Sequence, residues 1–395
     1  MKILVVSQYY SPEPFRINEI CEELVLRGNK VTVLTGCPNY PDGEIYTGYK
    51  NEGTKEFING VEVIRCKIHP RKKGPIHLML NYISFWYEAR RYVYFLPDDF
   101  DIVYSYQLSP ITSSSPANKY SRKHKVPHFL YCLDIWPESI VDNISQKSLI
   151  YRYIAWLSKR IYSAANSIGV TSPSFINYLS KLIDRPKKSF VYIPQHARDL
   201  SCQNKVVNSA SLNILFTGNI GASQNLDVLI DAVAKIRYEN NLRITIVGSG
   251  SDLERLRKRV TSQGLDNIIV FAGRQPKEKM SEYYAKADFC FLSLRDEGAV
   301  SWTIPGKLQE YMSAGMPVLA AINGDARYII EDSKCGVCVD WNDSAKLASI
   351  ISDFLHDRSL LSTYGAHARD YYQKHFTLKK HIDSLEAAFN RLVTN

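Results

Sequence analysis

No apolar run in this sequence approaches the roughly 18 consecutive residues that a membrane-spanning helix needs. The opening Met1-Lys2-Ile3-Leu4-Val5-Val6-Ser7 is too short for the core of a signal peptide and has no small-residue cleavage site, so it reads as a buried first strand. Both absences lead us to expect a cytoplasmic protein. Cysteine offers no framework either. Of eight cysteines, Cys21, Cys132 and Cys290 sit inside apolar patterns, and Cys335-Gly-Val-Cys338 has no second pair to complete a zinc site. It reads as a turn entering a strand. The dinucleotide fingerprint G-x-G-x-x-G is also missing: neither Gly218-Asn219-Ile220-Gly221 nor Gly248-Ser249-Gly250-Ser251 completes it, which argues against hydride transfer. No Asp-x-Asp stands at the carboxyl end of an expected strand, and Asp98-Asp99 lies in a loop ahead of one.

What is present is room and positive charge. A chain of 395 residues, 45% apolar and 23% charged, suits two globular domains with a core each. The net charge of +9 calls for an anionic partner, with nucleic acid, anionic lipid and nucleotide phosphate as the options.

Each half opens with the same unit. Lys2 to Ser7 is a strand, Tyr9-Tyr10-Ser11-Pro12-Glu13-Pro14 a turn, and Ile17, Ile20, Cys21 and Leu24 mark a helix by their i, i+3, i+4, i+7 spacing. Arg27-Gly28-Asn29 stops it before a second strand, Lys30 to Thr35. In the second half Asn213 to Thr217 is the strand and Gly218 to Ser223 the glycine-rich turn. Leu226, Leu229, Ile230 and Val233 mark the helix, and Arg243 to Val247 is the next strand. Strands alternating with amphipathic helices predict an α/β chain of two tandem doubly wound, Rossmann-like domains, with ligands beyond the carboxyl ends of the strands and in a cleft between the domains. The expected domains are 1–195 and 205–375, joined by a polar linker within Pro194 to Ser211, with a C-terminal helix over 376–395 packing back on the first domain.

The stretch Asp296 to Ala321 is dense in chemistry. A buried strand, Ala287 to Leu294, delivers Asp296-Glu297-Gly298 to its carboxyl end. Pro305 and Gly306 then start a helix, with Pro at the first helical position, and Gly315 and Pro317 end it. The start of such a helix offers unpaired N–H groups and a positive dipole end, both suited to a phosphate. Lys307 there makes sense if an anion is bound too. Glu310, on the same side by the i, i+3 rule, could accept hydrogen bonds from ribose hydroxyls. An ordinary helix with an exposed Lys307–Glu310 pair is the alternative.

These residues resemble the retaining glycosyltransferases of the two-Rossmann-domain (GT-B, family 4) type, whose helix after a glutamate-glycine loop matches Leu308-Gln309-Glu310-Tyr311-Met312-Ser313-Ala314-Gly315-Met316-Pro317-Val318. Thr35 to Gly43, Asp134-Ile135-Trp136-Pro137-Glu138-Ser139, Gly218 to Gln224 and Pro305-Gly306-Lys307 are similar to motifs of bacterial capsule and O-antigen transferases of the fucosamine-transferase type. The resemblance spans nearly the whole chain. It implies a metal-independent enzyme at the inner face of the cell membrane that moves an N-acetylated amino sugar such as FucNAc from a UDP-sugar, with retention, to a lipid-linked (polyprenyl diphosphate) sugar. The nucleotide sugar is a co-substrate, and no cofactor is implied. The donor would bind the second domain through Gly218, Asn219, Gly221, Gln224, Arg274, Gly298, Pro305, Gly306, Lys307 and Glu310. Glu297 would face the donor sugar as a catalytic residue. The acceptor would bind the first domain.

Three departures matter. The broader superfamily carries a first glutamate eight positions ahead of the second, where this chain has Trp302, so Glu297 would act through a longer loop. It also carries Arg and Lys after the glycine-rich turn, where this chain has Asn219 and Gln224; Lys307 and Arg274 are the expected substitutes. The histidine that approaches the reacting sugar in the wider family is absent from Tyr104-Ser105-Tyr106 and Tyr131-Cys132-Leu133-Asp134. Asp134, then Glu138, are the candidates for acceptor activation or sugar positioning; for Asp134 the alternative is capping a helix begun at Pro137. Glu13 and Arg16 are acceptor or phosphate candidates, or else a structural ion pair.

From Arg65 to Arg91, basic residues flank an aromatic-rich segment that suits an anionic membrane surface, or else forms a core helix behind a basic loop. No nucleic-acid motif organises the charge, so nucleic acid is not expected as a partner. A nucleotide-sugar epimerase or hydrolase of the same fold, and a non-catalytic nucleotide-sugar-binding protein, are the competing functions.

Overall fold

The computed structural model describes residues 1–140, 144–200, 210–239 and 241–394. The chain forms two compact units, Met1–Pro194 with His381–Asn395, and Gln195–Lys380. Of the expected linker, 201–209 lies outside the described residues.

Unit 1 is built on an eight-stranded sheet. In chain order it runs β1 (Lys2–Val6), α1 (Ile17–Leu26), β2 (Lys30–Gly36), β3 (Thr54–Ile58), β4 (Val61–Cys66), α2 (Pro75–Tyr92), β5 (Ile102–Gln107), α3 (Ser115–His124), β6 (His128–Cys132), α4 (Leu149–Ser163), β7 (Ser167–Val170), α5 (Pro173–Ile183) and β8 (Phe190–Tyr192). The strand order is β3-β4-β2-β1-β5-β6-β7-β8, with every pair parallel except β3 with β4. That edge hairpin was not expected from the sequence. Its turn is Asn59-Gly60, both at positive φ (48° and 80°), the pairing that a tight hairpin favours.

Unit 2 holds a six-stranded parallel sheet. Its elements are β9 (Leu212–Asn219), α6 (Asp227–Lys235), β10 (Leu242–Ser249), α7 (Leu253–Ser262), β11 (Ile269–Gly273), α8 (Met280–Lys286), β12 (Phe289–Ser293), α9 (Gly306–Ser313), β13 (Val318–Ala321), α10 (Gly324–Ser333), β14 (Gly336–Val339), α11 (Ser344–His356) and α12 (Leu361–His375). The order is β11-β10-β9-β12-β13-β14. Alternation along β9 shows why both faces are covered: Ile214 and Phe216 pack with Leu229, Ile246 and Leu347 on one side, and Leu215 packs with Leu308, Met312 and Tyr372 on the other.

The last helix, α13 (Leu378–Val393), completes unit 1. Phe389 packs its ring against Tyr104 and Phe129, and Arg27, just after α1, donates to Asp383 and Glu386 at 2.7 and 3.0 Å.

In each sheet the strand order reverses beside the first strand of the unit, between β1 and β5 and between β9 and β12. Ligands bind beyond the carboxyl ends of parallel strands at such a reversal. Asp99 and Asp101 lie at the opposite, amino edge of unit 1, where both engage Lys2.

Candidate functional site

The carboxyl edge of unit 2 gathers the residues expected to bind a donor. β9 ends in Gly218 and Asn219, both exposed, and the turn carries Gln224 beneath them. α9 begins one residue later than the sequence suggested. Pro305 is extended (φ −62°, ψ 133°) and precedes Gly306, the first helical residue, with no side chain capping the start. Proline at this place still fixes the entry to the helix, and the first-turn N–H groups face outward from an uncapped end.

Lys307 reaches back from that turn to the β9 loop. Its Nζ lies 3.9 Å from the centre of the Phe216 ring and donates to Gln224 Oε1 at 2.5 Å and Asn219 O at 3.4 Å. Gly218 makes this seat possible: at φ 108° a Cβ there would come within 2.9 Å of Lys307 Cε. Burial pulls the Lys307 ammonium down to about 7, with the nearby Glu310 carboxylate opposing the shift. This half-buried cation with a neutral amide partner corrects the alternative of an exposed surface pair. Phe216 was not foreseen, because its ring counts as core in the strand pattern.

Below the edge, Tyr311 ties α9 to β9. Thr217 N donates to Tyr311 Oη at 3.1 Å, and Tyr311 Oη donates to Phe291 O of β12 at 3.3 Å. Glu310, the residue before it in α9, is half-buried. After β12, Asp296 accepts from Asn323 Nδ2 at 2.8 Å, a partner beyond β13 that the sequence reading missed. Glu297 is exposed, 4.0 Å from Arg295, and Gly298 takes φ 57°. Gly221 lies in the same β9 turn. Arg274 follows the edge strand β11 and is exposed, two strands from β9.

Unit 1 sorts its expected residues differently. Asp134 follows β6, half-buried. Its Oδ2 accepts from Ser109 N at 3.0 Å, in the loop after β5, so its carboxylate ties two strand ends rather than capping a helix at Pro137. Burial raises its pKa, and the hydrogen bonds to Ser109 oppose the rise. Tyr106, at the end of β5, feels both Arg16 and Asp134, and Tyr82 of α2 feels Asp134 and Arg71. Arg16, Arg71, Tyr82 and Asp134 therefore share one neighbourhood, of which sequence reasoning named only Arg16 and Asp134 as site residues. Tyr82 was visible only as part of an aromatic-rich segment.

Glu138 and Glu13 are held by structural partners. Glu138 Oε1 accepts from Tyr151 and Tyr178 hydroxyls at 2.8 and 2.9 Å, and Oε2 from Gln146 at 3.2 Å. Glu13 is fully buried. Its Oε1 takes the N–H groups of Asn39 and Tyr40 at 2.9 and 2.7 Å, and its Oε2 takes that of Tyr10 at 3.3 Å. Burial raises it to about 7 against those three bonds. Glu13 thus clamps the motif Thr35 to Gly43 to the β1 loop.

Two family models match the chain: a glycosyl transferase 4-like domain over residues 15–195 and glycosyl transferases group 1 over residues 211–357, together more than four-fifths of its length. The chain belongs to the group 1 glycosyltransferases. Its two sheets form the GT-B fold of that group. WcaI of Escherichia coli strain K12, whose name describes a colanic acid biosynthesis glycosyl transferase, is 25% identical over 80% of this chain and 82% of its own. Sucrose-phosphate synthase of Thermosynechococcus elongatus has the same fold at TM-score 0.79 and 18% identity, covering 100% of this chain and 99% of its own. HepE of Anabaena, solved with UDP, shares it at TM-score 0.72 and 16% identity, covering 99% and 100%. Among the described residues no helix is long and apolar enough to cross a membrane, and no cluster of three or more metal-ligating side chains occurs.

Proposed function

We propose that this glycosyltransferase moves an amino sugar from a uridine diphosphate donor to a lipid-linked acceptor in envelope polysaccharide assembly, with retention and without a bound metal. The observation that carries this reading is the Lys307 ammonium, seated over Phe216 at the uncapped start of α9 and coupled to Glu310. A helix start with an adjacent cation fits a diphosphate. The likeness in fold to the Anabaena protein solved with UDP supports a uridine nucleotide, and the name of the E. coli relative supports an exopolysaccharide product.

In this reading Glu310 accepts hydrogen bonds from the ribose. Gly218, Asn219, Gly221 and Gln224 border the nucleotide. The N–H groups of Gly306 and Lys307, the Lys307 ammonium and Arg274 stabilise the negative charge that grows on the leaving diphosphate. Glu297 and Gly298 approach the donor sugar. In unit 1, Asp134 takes or orients the acceptor hydroxyl proton, and Arg16 meets the acceptor. The lipid of the acceptor approaches through the segment Arg65 to Arg91.

The test is sugar transfer from UDP-N-acetyl amino sugars to a polyprenyl-diphosphate-linked acceptor in EDTA. Asp134→Asn should lower kcat by about 10²-fold or more while leaving UDP affinity unchanged. An unchanged kcat would remove Asp134 from the chemistry, and donor hydrolysis at equal rate with and without acceptor would replace the transferase reading with a hydrolase.

A further inference from the structure

The sequence reading placed membrane contact in one segment. We infer that unit 1 instead docks on an anionic bilayer through two helices, α2 and α4, set on either side of a basic α3, with the apolar contacts at the carboxyl edge of the sheet. The inference rests on the lipid-linked-acceptor reading for its purpose; the surface itself is argued from exposure, charge and topology.

Only Asn81, Phe85 and Ala89 of α2 are buried, so most of its apolar residues are not core. Ile76, Met79 and Ile83 stand open, Ile76 at 66% exposure. α4 repeats the pattern without any signal that the sequence reading used. Leu149 is 79% exposed, Trp156 53%, and Tyr153 stacks on Trp156 with ring centres 5.9 Å apart. Isolated exposed apolar residues are normal, but runs on successive turns of two helices are not.

The two runs belong to one face. The crossovers β4-α2-β5, β5-α3-β6 and β6-α4-β7 all step the same way across the sheet, and right-handed crossovers in one direction place their helices on one side. α3 bridges the other two: Lys119 Nζ donates to Arg90 O of α2 at 2.9 Å, and Asn118 Nδ2 to Ile161 O of α4 at 3.0 Å. A crossover helix runs against its strands, so α2 and α4 both start at the carboxyl edge. Most of the exposed apolar residues lie in the first half of each, with Tyr87 beyond it on α2. Tyr82, which feels Asp134, sits within that half of α2.

Charge selects the occupant. The three helices carry eight arginines and lysines, two on α2 and three each on α3 and α4, against one carboxylate, Glu88. Glu88 pairs with Arg91 at 3.6 Å. A second copy of the chain would set like charge against like. A nucleic acid would leave Ile76, Met79 and Leu149 without a partner. An anionic bilayer takes both the bases at its headgroups and the apolar side chains beneath them.

The test is flotation of the full chain with vesicles of phosphatidylcholine alone and of phosphatidylcholine with phosphatidylglycerol. Three proteins are compared: wild type, an α2 variant (I76S, M79S and I83S) and an α4 variant (L149S, Y153S and W156S). UDP binding reports that each is folded. The wild type should bind the anionic vesicles, more weakly in high salt, and each triple variant should lose at least about tenfold in partitioning. Three results would overturn the proposal: no vesicle binding by the wild type, equal binding to neutral vesicles, or an α4 variant that binds like wild type. A dimer in solution that either variant converts to monomer would assign the surface to a second copy and overturn it too. Vesicle binding without sugar transfer to a soluble acceptor analogue in detergent would instead sink the transferase reading and support this surface.

Discussion

The Lys307 ammonium rests on the Phe216 ring and donates to the Gln224 amide and a backbone carbonyl. Burial, only partly offset by the nearby Glu310 carboxylate, brings it to about 7, so it is part neutral near physiological pH. A diphosphate placed there would restore the charge, and binding would take up a proton. Diphosphate affinity should therefore hold steady below pH 7 and fall above it by up to about tenfold per unit, until the bound lysine titrates. Calorimetric titration with UDP between pH 6 and 9 checks this. Lys307→Arg, always charged, should give a flat profile over the same range. A wild-type profile as flat as the Arg variant would mean that the lysine does not meet the diphosphate. The sequence marked Lys307 by its place at a helix start. Its burial was not legible, because it depends on Phe216, which reads as core in its strand, and on a contact with Gln224 that only the fold brings about. The three backbone N–H groups that Glu13 accepts were likewise not legible, because they come from the β1 loop and from the segment after β2.

At the scale of elements, the β9 turn and the start of α9 function as one device. Gly218 at φ 108° lets the strand end turn away while the lysine stem crosses it. Gly218→Ala should destabilise the protein by about 1 kcal/mol through the positive φ, since the lysine end can shift aside. The shift should also unseat the ammonium, so UDP affinity should fall while the affinity for uridine stays near wild type. Thermal melts with paired titrations of nucleotide and nucleoside check both. Equal loss for nucleotide and nucleoside would place the damage in the turn as a whole. The strand–turn–helix units were legible because buried parallel strands are apolar throughout and their helices keep a 3.6-residue period. The hairpin β3–β4 was not, as an antiparallel edge strand breaks the βα rhythm. The ends of α9 shifted by one residue at Pro305, a difference that periodicity does not resolve.

At the scale of the whole molecule, two sheets bring separate sets of groups to their carboxyl edges. Unit 2 gathers a cation, an uncapped helix start and Glu310. Unit 1 gathers Arg16, Arg71, Tyr82 and Asp134, while the bases of α2, α3 and α4 lie mostly toward the far ends of those helices. The net charge of +9 was legible from composition, yet its concentration on one three-helix face needed the topology. The central claim is that a nucleoside diphosphate binds the edge of unit 2, and the thermal stability of the protein with UDP, GDP, dTDP, ADP and CMP in EDTA tests it most directly. A ligand at 100 times its Kd stabilises the native state by about 2.7 kcal/mol, so one diphosphate should stand out. The expectation is stabilisation by UDP, weakened for every diphosphate by Lys307→Ala and for nucleotide and nucleoside alike by Glu310→Ala. Stabilisation that these two variants leave unchanged, or no stabilisation by any diphosphate, would contradict the account.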